Sequence, residues 1–540
     1  MRMQTKLGAL VFLLCLSLGA AAQEPTYAAL DPRGTWPTVA RIPLAKRLPT
    51  LSGKRIYLIK SWDRESGFDK TADDLAAALT QAGATPTIKN RNVRYSEDDP
   101  ALWAELRNAK ADGFLYIAAA SSSTTSYAFK WSAYLEKSGL PGAVLAFDQL
   151  ASVGATTNER EGAQVRAIEF SYPTTTMDER RYREAISESL NALTRALTPA
   201  EQRTGTITPT PFPKIAATGT LDAIQRAFYQ KGYTDGLPII PPTEDRVAAM
   251  LKGTTHSPDE IVAKVFYPEG LQASVRQVAI NAVMAGCDPK HLPVLLATVE
   301  AFQKFNLNSM LRSTNSFAFM QVVNGPIARE LGMNSGVNAL GPGNHANAVM
   351  GRALRLFITN LGGGQPGVNI MAVIGNNAAY GFMFAENEAQ SPWEPFSVTK
   401  GFKPSDSTLT LFSGGWAHFG NYNLGTPFER VPKDLERFES KSGATLIISP
   451  QRAADLKRQG MSKANVIDYL WKNAVRPLGE LRGEQFFRET EEMKSMPPSA
   501  LVSVFPKGSI EVIVAGGDAS PMMQAWHMYR PQTVSIDKWR

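Results

Sequence analysis

Short apolar runs alternate with helical patterns between residues 55 and 197, and this alternation constrains the fold more than any other feature. Arg55–Lys60 (RIYLIK), 85–89, 113–120 (GFLYIAAA) and Gly142–Phe147 (GAVLAF) have strand length and strand composition. Thr71–Gln81, 100–109, 126–138 and 180–197 lie between or after them with helical spacing, and Gly83 and Gly139 follow two of these helices. Runs of four to eight apolar residues separated by helices pair in parallel and need helices on both faces. The expectation is an α/β unit over residues 54–197, a parallel sheet in three layers.

Four other segments surround that unit. Residues 1–22 carry Arg2 and Lys6, a mostly apolar run and Ala20-Ala21-Ala22. This is the pattern of a cleaved signal peptide, with Gln23 the expected mature start and a periplasmic or secreted protein the expected product. Residues 23–53 read as an extended arm, and 198–220, rich in proline and threonine, as a linker. Residues 221–540 read as a larger α+β region, with helices at 269–285 and 289–305, a strand near 317–323 and strand-like stretches at 369–374 and 408–412. With 57 basic and 50 acidic residues the chain has a net charge of +7, scattered without a basic cluster. No nucleic-acid surface is expected from that, nor a membrane span after residue 22. The oligomeric state is not legible. Beyond the leader the chain keeps one cysteine, Cys287, so no internal disulfide forms.

Within the larger region, residues 334–367 (NSGVNALGPGNHANAVMGRALRLFITNLGGGQPG) hold eight glycines and five asparagines. The pattern predicts a glycine-bent loop, a buried helix capped by Asn344, and a stop at Gly362–Gly364. A helix N-terminus opening on a polar loop suits an anion, with Gly343 and Asn344 as its binding groups. Gly341-Pro342-Gly343-Asn344-His345-Ala346 formally fits a dinucleotide fingerprint. It lacks a preceding strand and a following acidic residue, so no cofactor is inferred from it.

Several constellations have chemical potential. Ser121, Ser122 and Ser123, followed by Thr124, Thr125 and Ser126, stand between a buried strand and a helix. That is the sheet edge where open α/β folds bind ligands, although a hydroxyl-rich helix cap and turn explains the run better than a ligand site does. No histidine precedes His256, so serine catalysis within this unit lacks a base. Cys287 before the helix start Asp288-Pro289, with His291 in its first turn, offers a nucleophile and a base; the alternative is a small buried hydrophobe. His345, His418, Glu386 and Glu388 are candidates for acid–base work or for a divalent metal assembled across the fold, where nitrogen and oxygen ligands suit zinc, iron or manganese. Trp416 and neighbouring aromatics would wall a small-molecule site.

Several runs resemble a family of bacterial proteins named for a U-G-S-C motif of selenocysteine or cysteine, Gly, Ser and Cys. They are LEKSGLPGAVLAF, DGLPIIPPT, VAINAVMAGCDPKHLPVLLA, VNGPIARELGMNSGVNALGPGNHANAVMGRALRLF, FAENEAQSPWEPF and VIVAGG, in that order. At the motif itself this chain has Ser121-Ser122-Ser123-Thr124, so the thiol or selenol pair is absent and its redox chemistry is not implied here. Two functions are expected. One is an exported enzyme for a small organic or anionic substrate, working by hydrolytic or lyase-type chemistry with Cys287, His291, His345, Glu386 and His418. The other is a non-catalytic periplasmic small-molecule-binding protein that lost the reactive motif.

Overall fold

The computed structural model describes residues 24–62, 67–68, 70–305, 307–422, 426–440, 442–484, 487 and 489–540, the side chains of 416–421 excepted. The leader reading of residues 1–22 falls outside them. The first unit runs β1 (Arg55–Lys60), α1 (Thr71–Gln81), β2 (Thr85–Asn90), α2 (Pro100–Asn108), β3 (Gly113–Ile117), α3 (Ser122–Lys137), β4 (Gly142–Phe147), α4 (Ala151–Glu161), β5 (Ala167–Phe170) and α5 (Glu179–Thr194). Its five strands are all parallel, in the order β2-β1-β3-β4-β5. The period of two divides each strand between two cores. Ile56, Leu58, Leu115 and Leu145 pack with Leu75, Leu79 and Leu193 of α1 and α5. Tyr57, Ile59, Phe114, Tyr116 and Val144 pack with Leu102, Trp103, Phe129 and Leu135 of α2 and α3. The result is the three-layer α/β unit that the alternation requires.

The arm and the connector are tied to each other. Tyr27–Leu30 pairs antiparallel with Ile215–Gly219, and Val39–Ala40 with Thr206–Ile207. Ala29 and Leu30 are buried in the second unit's core, beside Ile224 and Phe228. Farther along, Arg47 donates to buried Glu136 at 2.8 Å, and the same carboxylate accepts from Ala45 N at 2.7 Å. The arm thus spans from one unit's core to the other's.

The second unit has a six-stranded mixed sheet. It is built from β6 (Ala318–Asn324), β7 (Met383–Ala385), β8 (Thr408–Tyr422), β9 (Ala444–Ile448), β10 (Ile510–Val514) and β11 (Met523–Ser535), in the order β7-β6-β8-β11-β9-β10. The outer pairs β6–β7 and β9–β10 are parallel, and the inner pairings are antiparallel. Helices α6 (Val275–Ala285), α7 (Leu292–Phe302) and α8 (His345–Leu356) share one apolar core with Phe319, Val323, Leu409, Leu411 and Val534 of the sheet. Helix α8 is the one predicted within 334–367, and it continues into a π turn, Phe357–Leu361, before Gly362.

Two local readings differ. The helix expected from 269 begins at Val275, because Leu271–Ser274 pairs with Ile261–Phe266 and Ser274 then caps α6. The stretch 369–374 is not a strand: Asn369 Oδ1 accepts from Gln365 N at 2.7 Å and curls the backbone into a turn. Among the described residues no helix is long and apolar enough to cross a membrane.

Candidate functional site

In this strand order the chain leaves β1 towards β2 on one side and returns to β3 on the other. The carboxyl ends of β1 and β3 therefore flank the crevice where such sheets bind ligands. The hydroxyl run sits there, but as helix rather than loop. Ser121 is the N-cap, its Oγ accepting from Thr124 N at 3.2 Å, and Ser122 to Ser126 are all buried in α3. Trp62, Tyr95 and Tyr127 stand around this edge, with ring centroids 5.7 Å (Trp62–Tyr95) and 5.8 Å (Tyr95–Tyr127) apart.

The second unit closes the crevice with its own short helix, Leu307–Leu311. Asn308 Nδ2 donates to Ser126 Oγ at 3.2 Å, Ser122 Oγ donates to Arg312 O at 3.3 Å, and Ser309 hydrogen-bonds Tyr95. Arg160 Nη2 also donates to Ser126 Oγ, at 3.3 Å. Arg312 is 1% exposed and is held by Asn308 Oδ1 at 2.9 Å and Glu269 Oε1 at 2.8 Å. Ser121, Ser122 and Ser123 thus form a cap and an inter-unit seam, and no histidine is bonded to them among the described residues.

The Cys287 region has little nucleophilic potential. The cysteine is 9% exposed, and burial, reinforced by Asp288, pushes its thiol far above the usual range. His291 is buried as well. Desolvation lowers its pKa to about 4, so it is neutral at pH 7. Its Nδ1 accepts from Asp288 N at 3.0 Å, which leaves the proton on Nε2, and Nε2 has no partner among the described residues. His345 is exposed at the start of α8, its ring centroid 6.2 Å from that of His291.

Glu386 belongs to another network. It is 4% exposed, accepts from Asn324 Nδ2 and Phe396 N, both at 2.6 Å, and lies 3.6 Å from Lys463. Burial raises its pKa, with Lys463 opposing. Glu388 accepts from Asn324 Nδ2 and Gly325 N, both at 2.8 Å. These carboxylates brace β6 against the loop after β7. His418 and Trp416 are on β8, but their side chains lie outside the described residues. Among the described residues no three His, Cys, Asp or Glu side chains group to hold a metal.

The two ends of α8 differ. At the N-terminus Asn344 Oδ1 accepts from Asn347 N at 3.0 Å and its Nδ2 donates to Gly332 O at 2.9 Å. Asn347 Nδ2 in turn holds Asn334 O at 2.9 Å. The asparagines close the loop on itself, with Gly343 exposed at its edge. At the C-terminal end a cavity of about 490 Å³ opens between the helix, the Asp235–Gly236 turn and Gly364–Pro366. Arg352 grips Asp235 at its rim, and Arg355 and Thr359 line it. Gly236, at φ +92°, gives the turn a backbone that a side chain would strain. Sequence reasoning passed over Arg352 and Arg355, although two arginines three apart in a helix with one buried face are a signal. Both are only partly exposed, and a guanidinium drawn out of water calls for a partner or a ligand.

No curated protein matches the chain. Residues 28–199, the arm and the first unit, match the model of the UGSC family.

Proposed function

We propose that this protein is an exported small-molecule-binding protein rather than a hydrolase or lyase, with its ligand held by the second unit. The observation that carries this reading is the cavity at the end of α8, which presents an arginine without a hydrogen-bond partner among the described residues. Two further features support it. The thiol of the candidate nucleophile Cys287 is held in its unreactive protonated form, and its neighbour His291 is too weak a base to ionise it. The sheet edge that would serve the first unit as a ligand site is occupied by Asn308, Ser309 and Arg312. Export rests on the basic, apolar and small-residue pattern of residues 1–22.

A thermal-shift screen of the full mature chain against small acids, amines, sugars and thiols tests this reading. A ligand for the folded state raises the melting temperature by mass action. At least one class is expected to do so without being turned over. Turnover of a bound ester or hydroxy acid, lost in H345A, would favour the enzymatic reading, for which the proximity of His291 and His345 is the supporting observation. N-terminal sequencing of the protein recovered from its native compartment should begin at Gln23.

A further inference from the structure

Helix α8 carries two arginines one turn apart, and they meet the same loop in opposite ways. Arg352 is spent on Asp235: Nε donates to Oδ2 at 2.8 Å and Nη2 to Oδ1 at 2.9 Å, while Nη2 also reaches Pro238 O at 2.9 Å. The Asp235 side chain is 1% exposed, and its Oδ1 additionally accepts from Leu237 N at 3.2 Å. This pair is neutral and closed. Arg355, partly buried, makes no hydrogen bond with any described residue and lines the cavity. Burial lowers its pKa, with Asp235 and Tyr380 only partly opposing, as expected for a guanidinium short of counter-charge. The π turn adds one residue to the helix at this point and brings Thr359, 7% exposed, to the same cavity wall. Its hydroxyl also has no partner among the described residues. π turns recur at functional sites for this reason: they redirect side chains that an α-helix would place elsewhere.

We propose that this cavity is a binding site for a small organic monocarboxylate, whose carboxylate is held in the fork of Arg355 and whose polar body is held by Thr359 and Gln365. The inference rests on the binding reading above and names its ligand class. A guanidinium presents two parallel N–H groups that match the two oxygens of a carboxylate. Charge selects the class. With Arg352 and Asp235 cancelling, the interior offers one uncompensated positive charge, which a monoanion neutralises. A phosphate dianion carries a second negative charge that no further guanidinium of the lining would meet. Lys231 lies at the exposed rim, where it attracts anions to the mouth without being desolvated. At about 490 Å³ the cavity holds more than a bare carboxylate, and its lining of threonine, glutamine and glycine backbone suits hydroxyl or amide substituents.

The test uses the full mature chain and four probes: sodium acetate, sodium lactate, the neutral isostere lactamide, and inorganic phosphate. Calorimetric titration is expected to show lactate binding more tightly than acetate, with lactamide and phosphate not competing. R355Q should weaken lactate by about tenfold or more, the loss expected when a charge-assisted pair is removed. R355K keeps the charge but not the fork and should fall between. In the wild-type chain, lactate should slow phenylglyoxal labelling of Arg355, read by peptide mass spectrometry, so the result does not depend on the variants folding. Lactate binding that is unchanged in R355Q, or that leaves Arg355 labelling unchanged, overturns this site. So does phosphate binding that excludes lactate. If other small molecules stabilise the chain while no carboxylate does, the site fails and the binding reading stands; if nothing stabilises it, both fail.

Discussion

Arg352 and Asp235 form a fork-to-fork pair that joins helix α8 to the Asp-Gly-Leu-Pro turn, with the Asp235 side chain 1% and the Arg352 side chain 16% exposed. Removing one member of a buried pair leaves the other charge without compensation. D235N should therefore lower unfolding stability by about 2–3 kcal/mol in urea titrations, somewhat below the range for fully buried pairs. R355Q removes a desolvated charge that has no partner, so its unfolding midpoint should be unchanged or higher. Equal losses in the two variants would mean that Arg355 has a structural partner after all.

The thiol of Cys287 gives a second prediction. It is buried beside Asp288, and both effects disfavour the thiolate, the form that reacts. In the native chain at neutral pH, a disulfide reagent such as DTNB should label none of it over the time in which the urea-unfolded chain labels completely. Rapid native labelling would restore Cys287 as a candidate nucleophile.

The difference between what was legible and what was not has a physical basis. RIYLIK, GFLYI and GAVLAF declare themselves because strands buried on both faces are continuous apolar runs. Nothing in the pattern marks α4 and β5 between Phe147 and α5. Helix α4 (ASVGATTNERE) has few apolar residues and contains Gly154, whose missing side chain admits the Phe129 ring; a Cβ there would lie 2.6 Å from it. That glycine is a packing requirement made by a distant residue, so local spacing cannot reveal it. The buried helix within 334–367 and its Asn344 cap were readable, because capping is local chemistry. The position of the cavity was not. It depends on the π turn at Phe357–Leu361 and on a loop more than a hundred residues earlier in the chain. The serines at 121–123 were placed at the correct edge of the sheet, but no sequence signal showed that the chain's own Asn308 and Arg312 would fill that edge.

The connector supplies a test of acid stability. Arg166 holds Glu201 through Nε at 2.7 Å and Nη2 at 2.9 Å, and Thr198 N donates to the same carboxylate at 2.7 Å. Burial works against ionisation, but these bonds outweigh it and bring the pKa down to about 2, from 4.5. A depressed carboxylate pKa stabilises the fold above the unfolded value, and that contribution is lost as pH falls through the folded one. E201Q should thus be less stable than wild type at pH 7 by on the order of 1–2 kcal/mol, after allowing for solvent screening. The gap should close between pH 4.5 and about 2. A gap that is constant with pH would assign the effect to packing.

The C-terminus carries the opposite pH sign. His256 faces two acceptors, Lys538 O at 2.7 Å from Nε2 and Glu260 Oε2 at 2.8 Å from Nδ1, so both ring nitrogens act as donors and the imidazolium is the favoured form. The Lys538 carbonyl contributes most to the raised pKa and Glu260 next, with partial desolvation and the Lys538 ammonium opposing. The Trp539 ring lies 4.7 Å away, and Thr254 Oγ1 holds Trp539 O at 2.6 Å. Because the folded pKa lies above the unfolded 6.5, the stabilisation is fully present below 6.5 and is lost as pH rises through the folded value. Amide exchange of the last four residues, corrected for intrinsic rates, should therefore show more protection at pH 5.5 than at pH 8. H256Q should abolish that difference while leaving the exchange of β11 unchanged. An NMR titration placing His256 below 6.5 would contradict the two-acceptor arrangement, because one ring nitrogen would then have to face Glu260 or the Lys538 carbonyl without a proton.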